Sequence, residues 1–357
     1  MSKPAITRPA HVPAVALQPV VDPAGWTPAM FREEEPWVWR FDDAAIADIL
    51  AAVARVEKAG TELIALTRAD FDLPVAGPML ARFRDELVNG VGVVQVRGLP
   101  VANLTRRQAA IAFLGIGAHF GERRSQNAAG HVLGHVKDLG YDYDDPRARG
   151  YQTAAALGFH TDPCDYVALS CLRTAQSGGE SRIVSSVNIY NEMLKRRPDL
   201  AAELIADFYW TRHGELAPGE EPFYRMPVFS FVDGYFSGRG ISTHIMKAQK
   251  LPGVPPFTAA QKEAIEMFRA LAQELAVDVP FQEGDFQILS NHVMLHSRRP
   301  YVDWEKFEEK RHLLRLWIFD ASSRPVPDLV RENFQGIEVA GYRPKAPLEA
   351  EDDAAAA

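Results

Sequence analysis

The chain has 357 residues, enough for a large core in one big domain or two smaller ones. Hydrophobic residues make up 47% and charged residues 24%, the composition of a soluble globular protein. A formal net charge of −8 argues against nonspecific nucleic-acid binding as the main activity. The opening Met1-Ser2-Lys3-Pro4 leads into a Pro/Ala/Val stretch without a continuous apolar run. That is neither a secretory signal nor a membrane span, so a cytoplasmic protein is expected.

Residues 1–35 are rich in proline and poor in periodicity, and read as an irregular arm on the surface. Asp42 to Gly60 reads as a helix, with Ile46, Ile49, Leu50, Val53 and Val56 at helical spacing and Gly60 past the last turn. Pro78 to Asn89 is a second helix with proline in its first turn, and Val91 to Leu99 is a β-branched strand. Thr105 starts a third helix that runs to His119. From about 130 short strands take over, near 131–138, 152–160, 165–173, 181–186, 208–213, 226–232, 285–291 and 311–319. Helices interrupt at 187–196 and at 258–275, the latter begun by Thr258. Gly238-Arg239-Gly240 reads as a turn between strands. The pattern is α+β, with a β-barrel or sandwich core. No boundary interrupts 36–342, so one domain is expected there, followed by a frayed tail over 343–357.

Chemistry concentrates in a few places. His160 and Asp162 are two apart, so on a strand they would share a face. Two imidazoles and one carboxylate hold a ferrous ion on one side and leave other positions open. The third ligand must come from elsewhere; His296 is favoured, and His292 is the other candidate. Arg311 and Arg315 would share a strand face roughly 13 Å apart and could grip the two ends of a short diacid. The bland alternative pairs them with Glu308 and Glu309. The two cysteines, Cys164 and Cys171, imply no disulfide framework and suit a reducing compartment.

In this order and spacing the motifs resemble the taurine dioxygenase-like family of Fe(II)- and 2-oxoglutarate-dependent oxygenases. The pieces are Gly92 through Gly98, Phe120-Gly121, His160-Thr161-Asp162, Gly178-Gly179-Glu180-Ser181, Asn291 through Arg298, and Arg311 through Arg315. The resemblance implies a double-stranded β-helix, or jelly-roll, core with flanking helices. It implies His160, Asp162 and His296 as iron ligands. It implies Ser181 and Arg311 on the far carboxylate of 2-oxoglutarate, and Arg315 on the near carboxylate or the substrate. The reaction it implies is hydroxylation of an unactivated carbon of a small anionic substrate by O2, with release of succinate and carbon dioxide. Asp162 favours hydroxylation over halogenation, because halogenating members carry a small residue there.

Two departures bear on substrate. Taurine enzymes bind sulfonate through the amide after the aspartate, but here that residue is Pro163, which has no N–H. Where those enzymes carry His and Tyr after the Phe-Gly pair, this chain offers Ser125-Gln126-Asn127. Taurine is therefore not the expected substrate. Candidate substrate contacts are Gln126, Asn127, Gln152, Cys164, Tyr166 and Arg298; the alternative for Arg298 is an ion pair with Asp303. Tyr141 to Asp145 reads as a solvated loop that could lie over the site. Competing accounts are a zinc-type hydrolase using the same three ligands, and a jelly-roll binding module without catalysis. Oligomeric state stays open, a homo-oligomer included.

Overall fold

In the computed structural model the described residues are 9–34, 37–141, 149–212, 221–241, 243–337 and 343–350. The helices start and stop where local chemistry dictates. Asp42 accepts the Ala45 N–H ahead of helix Asp43–Ala59, and Gly60 closes it at φ +67°. Thr105 and Thr258 each build a reciprocal cap with a glutamine, at the heads of Arg106–Gly117 and Ala259–Glu274.

Two sheets dominate. The larger runs in the order Val38–Arg40, Val93–Arg97, Phe286–Ser290, Tyr166–Arg173, His312–Phe319 and Glu122–Arg124, with Gly134–Val136 also on His312–Phe319. The smaller runs Val277–Val279, Ser181–Ser185, Met294–Arg298 and Leu157–His160. Both are antiparallel except for the first pair of the larger one. This is a double-stranded β-helix with flanking helices, as the resemblance implied.

One apolar cluster joins the sheets: Val93, Val167, Leu289 and Trp317 from the larger, Ile183, Val277, Met294 and Leu295 from the smaller. A second lies on the other face of the large sheet, where Leu314, Leu316 and Ile318 meet Ile111, Phe113 and Leu114 of a helix. Strand His312–Phe319 is thus covered on both faces, which is why its sequence shows no clean alternation. Residues 313, 315 and 317 occupy the inner face, and Arg315 is the charged one among them.

Several expectations need correction. The N-terminal arm is not merely superficial. Trp26 and Phe31 are buried and stacked, Pro28–Glu34 is helical, and Asp22 forms a buried ion pair with Arg324 at 2.7 Å. The tail is likewise anchored over 343–350: Lys345 bridges His131, and Ala350 is buried. Residues 351–357 and the 142–145 part of the expected loop fall outside the described residues. The strand expected over 226–232 is two strands, Phe223–Pro227 and Phe229–Val232, in different sheets. The second forms a hairpin with Tyr235–Gly238 through Asp233-Gly234, both at positive φ, the backbone that a two-residue hairpin turn needs. Gly238 belongs to that strand, not to a turn.

Candidate metal and co-substrate site

His296 is at the centre of Met294–Arg298, and His160 ends Leu157–His160 directly opposite it across the ladder. Their rings are 4.3 Å apart between centroids. After Phe286–Ser290 the chain turns at Asn291-His292-Val293, changes sheet, and carries His296 on a strand of its own. Asp162 lies beyond the strand end, so it does not share a strand face with His160. Its N–H donates to Asn291 Oδ1 at 3.1 Å, and this bond directs the carboxylate back toward both imidazoles. Asn291 also donates to the Cys164 carbonyl at 3.1 Å, so one amide pins the whole turn. The sequence contained Asn291 in its motif but gave it no role.

Ligating atoms of His160, Asp162 and His296 all lie within 4.8 Å of one another. His160 Nδ1 bonds the Gly158 carbonyl at 2.8 Å. A carbonyl only accepts, so Nδ1 carries the proton and Nε2 presents its lone pair. That Nε2 is 3.9 Å from Asp162 Oδ1, and His296 Nε2 is 3.6 Å from Asp162 Oδ2. Asp162 Oδ2 is buried without a hydrogen-bond partner. Burial, then the nearby His296, pushes the His160 imidazole down to about 4, so it is neutral at pH 7. Burial opposes ionisation of Asp162, but Arg315 and the two histidines outweigh it and hold the carboxyl well below its usual range. Two imidazoles and an anionic carboxylate facing one another fit a divalent ion of intermediate softness.

His292 is not part of this set. Its Nε2 meets Asp165 Oδ1 at 2.7 Å and its Nδ1 meets Arg239 at 3.2 Å.

The arginines diverge in their contacts. Arg311 precedes the strand, is buried, and donates from Nη2 to the Gly179 carbonyl at 3.2 Å. The Tyr301 ring lies 5.2 Å from its guanidinium carbon, and Nη1 has no hydrogen-bond partner among the described residues. Its backbone N–H donates to Asp303. No bond joins it to Glu308 or Glu309 among the described residues; the observed partner of Glu309 is Lys306. Ser181, also buried, opens the strand two residues after Gly179. Arg315 donates from Nε to Gln126 Oε1 at 2.6 Å and lies between the rings of Tyr151 and Trp317.

The expected substrate contacts are mostly committed elsewhere. Gln126 clamps Arg315. Asn127 takes the N–H groups of Ala129 and His131 in its own loop. Gln152 caps its own turn through the Arg149 N–H. Cys164 is fully buried and bonded to Asn291. Tyr166 packs in the cluster beneath the helices and donates to Asp320 at 2.9 Å. Arg298 donates to the carbonyls of Gly150, Thr153 and Ala155, not to Asp303.

A double-stranded β-helix that presents two histidines and an aspartate, with the charge of Arg315 acting on that aspartate, marks a non-heme iron oxygenase. The comparisons agree. The family model "Taurine catabolism dioxygenase TauD, TfdA family" matches residues 56–317, and the chain belongs to that family. FR-33289 synthase of Streptomyces rubellomurinus (strain ATCC 31215) is 31% identical over 91% of this chain and 98% of its own length. Asparagine oxygenase, solved with Fe(II), hydroxyasparagine and succinate, shares the fold at a TM-score of 0.62, with 17% identity over 79% of this chain and 93% of that one. The non-heme iron oxygenase OrfP, solved with iron and alpha-ketoglutaric acid, shares it at 0.58, with 15% identity over 79% and 94%. The protein is an Fe(II)- and 2-oxoglutarate-dependent oxygenase that uses O2 on a small molecule. The zinc-hydrolase and binding-module accounts are set aside. Among the described residues, no helix is long and apolar enough to cross a membrane.

Proposed function

We propose that His160, Asp162 and His296 hold the iron, that Arg311 and Ser181 hold the far carboxylate of 2-oxoglutarate, and that Arg315 faces its near carboxylate or the substrate. When bound, iron and 2-oxoglutarate supply the oxidising chemistry that hydroxylates an unactivated carbon and releases succinate and carbon dioxide. The protein contributes positioning and the exclusion of water. The observation that carries this reading is the buried Asp162 Oδ2, without a hydrogen-bond partner among the described residues, facing the imidazoles of His160 and His296. Arg311 Nη1, likewise buried and unpartnered, supports a carboxylate partner beyond Gly179.

Pro163, following Asp162, offers no N–H to a sulfonate, which speaks against taurine. The substrate is a small organic anion other than taurine. The chain acts in the reducing cytoplasm without a nucleic-acid partner, in keeping with its net charge of −8 and its two free, buried cysteines.

The test is anaerobic addition of Fe(II) and 2-oxoglutarate, followed by visible absorbance and by succinate release against a panel of small acids. A weak charge-transfer band, lost in Asp162→Ala and His296→Ala, is the expected result. Retention of that band in both variants would refute the ligand assignment.

A further inference from the structure

Arg239 leaves the hairpin Phe229–Val232/Tyr235–Gly238 with its N–H donated to the Val228 carbonyl at 2.8 Å. The residue is only 1% exposed. Its guanidinium has five N–H bonds to satisfy. One nitrogen, Nη2, donates to His292 Nδ1 at 3.2 Å; among the described residues Nε and Nη1 have no partner. His292 brings no negative charge. Its Nδ1 accepts from arginine, so its proton is on Nε2 and goes to Asp165 Oδ1. The other oxygen of Asp165 accepts the Asp320 N–H at 2.8 Å. Asp165, whose charge reaches Arg239, thus already has a bond on each oxygen and gives the guanidinium none directly. Burial pulls the guanidinium down to about 10, so it stays charged at neutral pH.

Arg324, just as deeply buried, is compensated by a fork onto the Asp22 carboxylate. Keeping a buried cation whose donors lack acceptors is costly, as for any unpaired buried ion. Such a site persists where something else supplies the counter-charge.

Its position says what. Gly240, the next residue, packs on the backbone of His160: a Cβ there would come within 2.7 Å of His160 Cα. The Gly240 N–H donates to Thr161 Oγ1. Phe334 covers the guanidinium with its ring at 4.1 Å. Two residues on, the Gly336 N–H bonds the Pro163 carbonyl. The segments on both sides of Arg239 thus touch the 160–163 stretch that carries two of the metal donors.

We infer that Arg239 binds an oxoanion group of the substrate, a carboxylate or a tetrahedral phosphate- or sulfate-like group, through its free Nε–H and Nη1–H donors. This rests on the oxygenase reading of the adjoining site and adds to it the residue that selects an anion.

The test uses the anaerobic Fe(II)·2-oxoglutarate protein, titrated calorimetrically with sulfate and, separately, with acetate. Either anion binding in the wild type and weakening at least tenfold in Arg239→Met supports the proposal; which anion binds distinguishes the two chemistries. The charge-transfer band must stay within twofold in its 2-oxoglutarate dependence. A lost band impeaches the metal and co-substrate reading, whereas an intact band without anion binding, or with binding indifferent to Arg239→Met, overturns the present one. Should Arg239→Met not fold, Arg239→Lys keeps the charge but loses the fork, and a threefold or greater weakening is expected. A wild-type crystal soaked in sulfate gives an independent readout: density on the guanidinium is expected, and a bare guanidinium overturns the assignment.

Discussion

Gln126 accepts the Nε–H of Arg315 at 2.6 Å and returns its own amide to the Arg315 carbonyl at 2.9 Å. The same amide reaches the Val132 carbonyl at 3.1 Å. A loop residue is thereby sewn to a strand 189 positions later, and the guanidinium is held where its charge keeps Asp162 ionised. Gln126, expected to touch substrate, spends its side chain on Arg315 and Val132, and we propose that it acts by positioning Arg315. Gln126→Leu removes the acceptor of a charged donor, a loss of about 1.5–3 kcal/mol. The expected outcome is a roughly tenfold or greater rise in the 2-oxoglutarate or substrate requirement, with Fe(II) affinity changed less than threefold. Succinate release against 2-oxoglutarate concentration reads the first, and anaerobic metal titration the second. A variant indistinguishable from wild type would show that Arg315 needs no such support.

Arg311 depends on different neighbours. It is buried against Tyr301 and the Gly179 carbonyl, with one nitrogen left for a ligand. Truncating one partner of a buried charge pair costs about 2–5 kcal/mol. Arg311→Ala should therefore raise the 2-oxoglutarate concentration needed for half-maximal succinate release by at least thirtyfold, or about 2 kcal/mol. Iron affinity should hold. An unchanged requirement removes the co-substrate role.

Gly240 approaches the metal site closely enough to be tested by a single methyl group. A Cβ at that position would be 2.7 Å from His160 Cα and 2.9 Å from the Thr161 nitrogen, both backbone atoms that yield only by moving the ligand strand. Gly240→Ala should displace His160 and weaken Fe(II) binding at least tenfold, while global stability falls by about 1–3 kcal/mol, as for other overpacked sites. Metal titration and urea unfolding separate the two effects. Full iron affinity in a folded variant would mean that the hairpin exit can move without disturbing His160.

The sequence made the main outline of this fold visible because most helices carry their own boundary chemistry. Thr105, Thr258, Asp42 and Gly60 mark ends that need no tertiary information. The candidate metal residues were equally visible, since His160, Asp162 and His296 keep a distinctive order and the fold brings them together. Hidden were the roles that arise only when distant segments meet. Gln126 and Arg315, or Asn291 and Asp162, are separated by more than a hundred residues, and nothing local in either stretch announces the partner. Tyr166 misled for a related reason. Strand Tyr166–Arg173 is buried on both faces, so its sequence does not say that residue 166 faces the helices and Asp320. The Asp233-Gly234 turn, by contrast, was a legible hairpin signal that would have placed Arg239 just outside a buried strand.

The last prediction concerns pH. His135 Nε2 bonds the Pro347 carbonyl at 3.0 Å, so His135 Nδ1 must accept the Nε2–H of His312, 2.8 Å away. This pair ties the C-terminal segment to the strand that follows Arg311. Burial, then the charges of Arg106, His135, Lys137 and Arg173, hold His312 well below its usual 6.5. Burial also lowers His292, against the pull of Asp165. Above pH 6.5 both groups are neutral folded or unfolded, and their contribution is fully present. As pH falls below 6.5, the unfolded chain binds protons that the folded one refuses, so stability is lost until the folded values are reached. Each histidine contributes a slope of up to about 1.4 kcal/mol per pH unit. Unfolding by urea between pH 7.5 and 5 should therefore show stability decreasing steadily toward acid. His312→Gln, which can still donate to His135, should shed about one histidine's share of that slope while changing stability less at pH 7.5. A slope that stays the same in the variant means the folded pair takes up its proton as readily as the unfolded chain does.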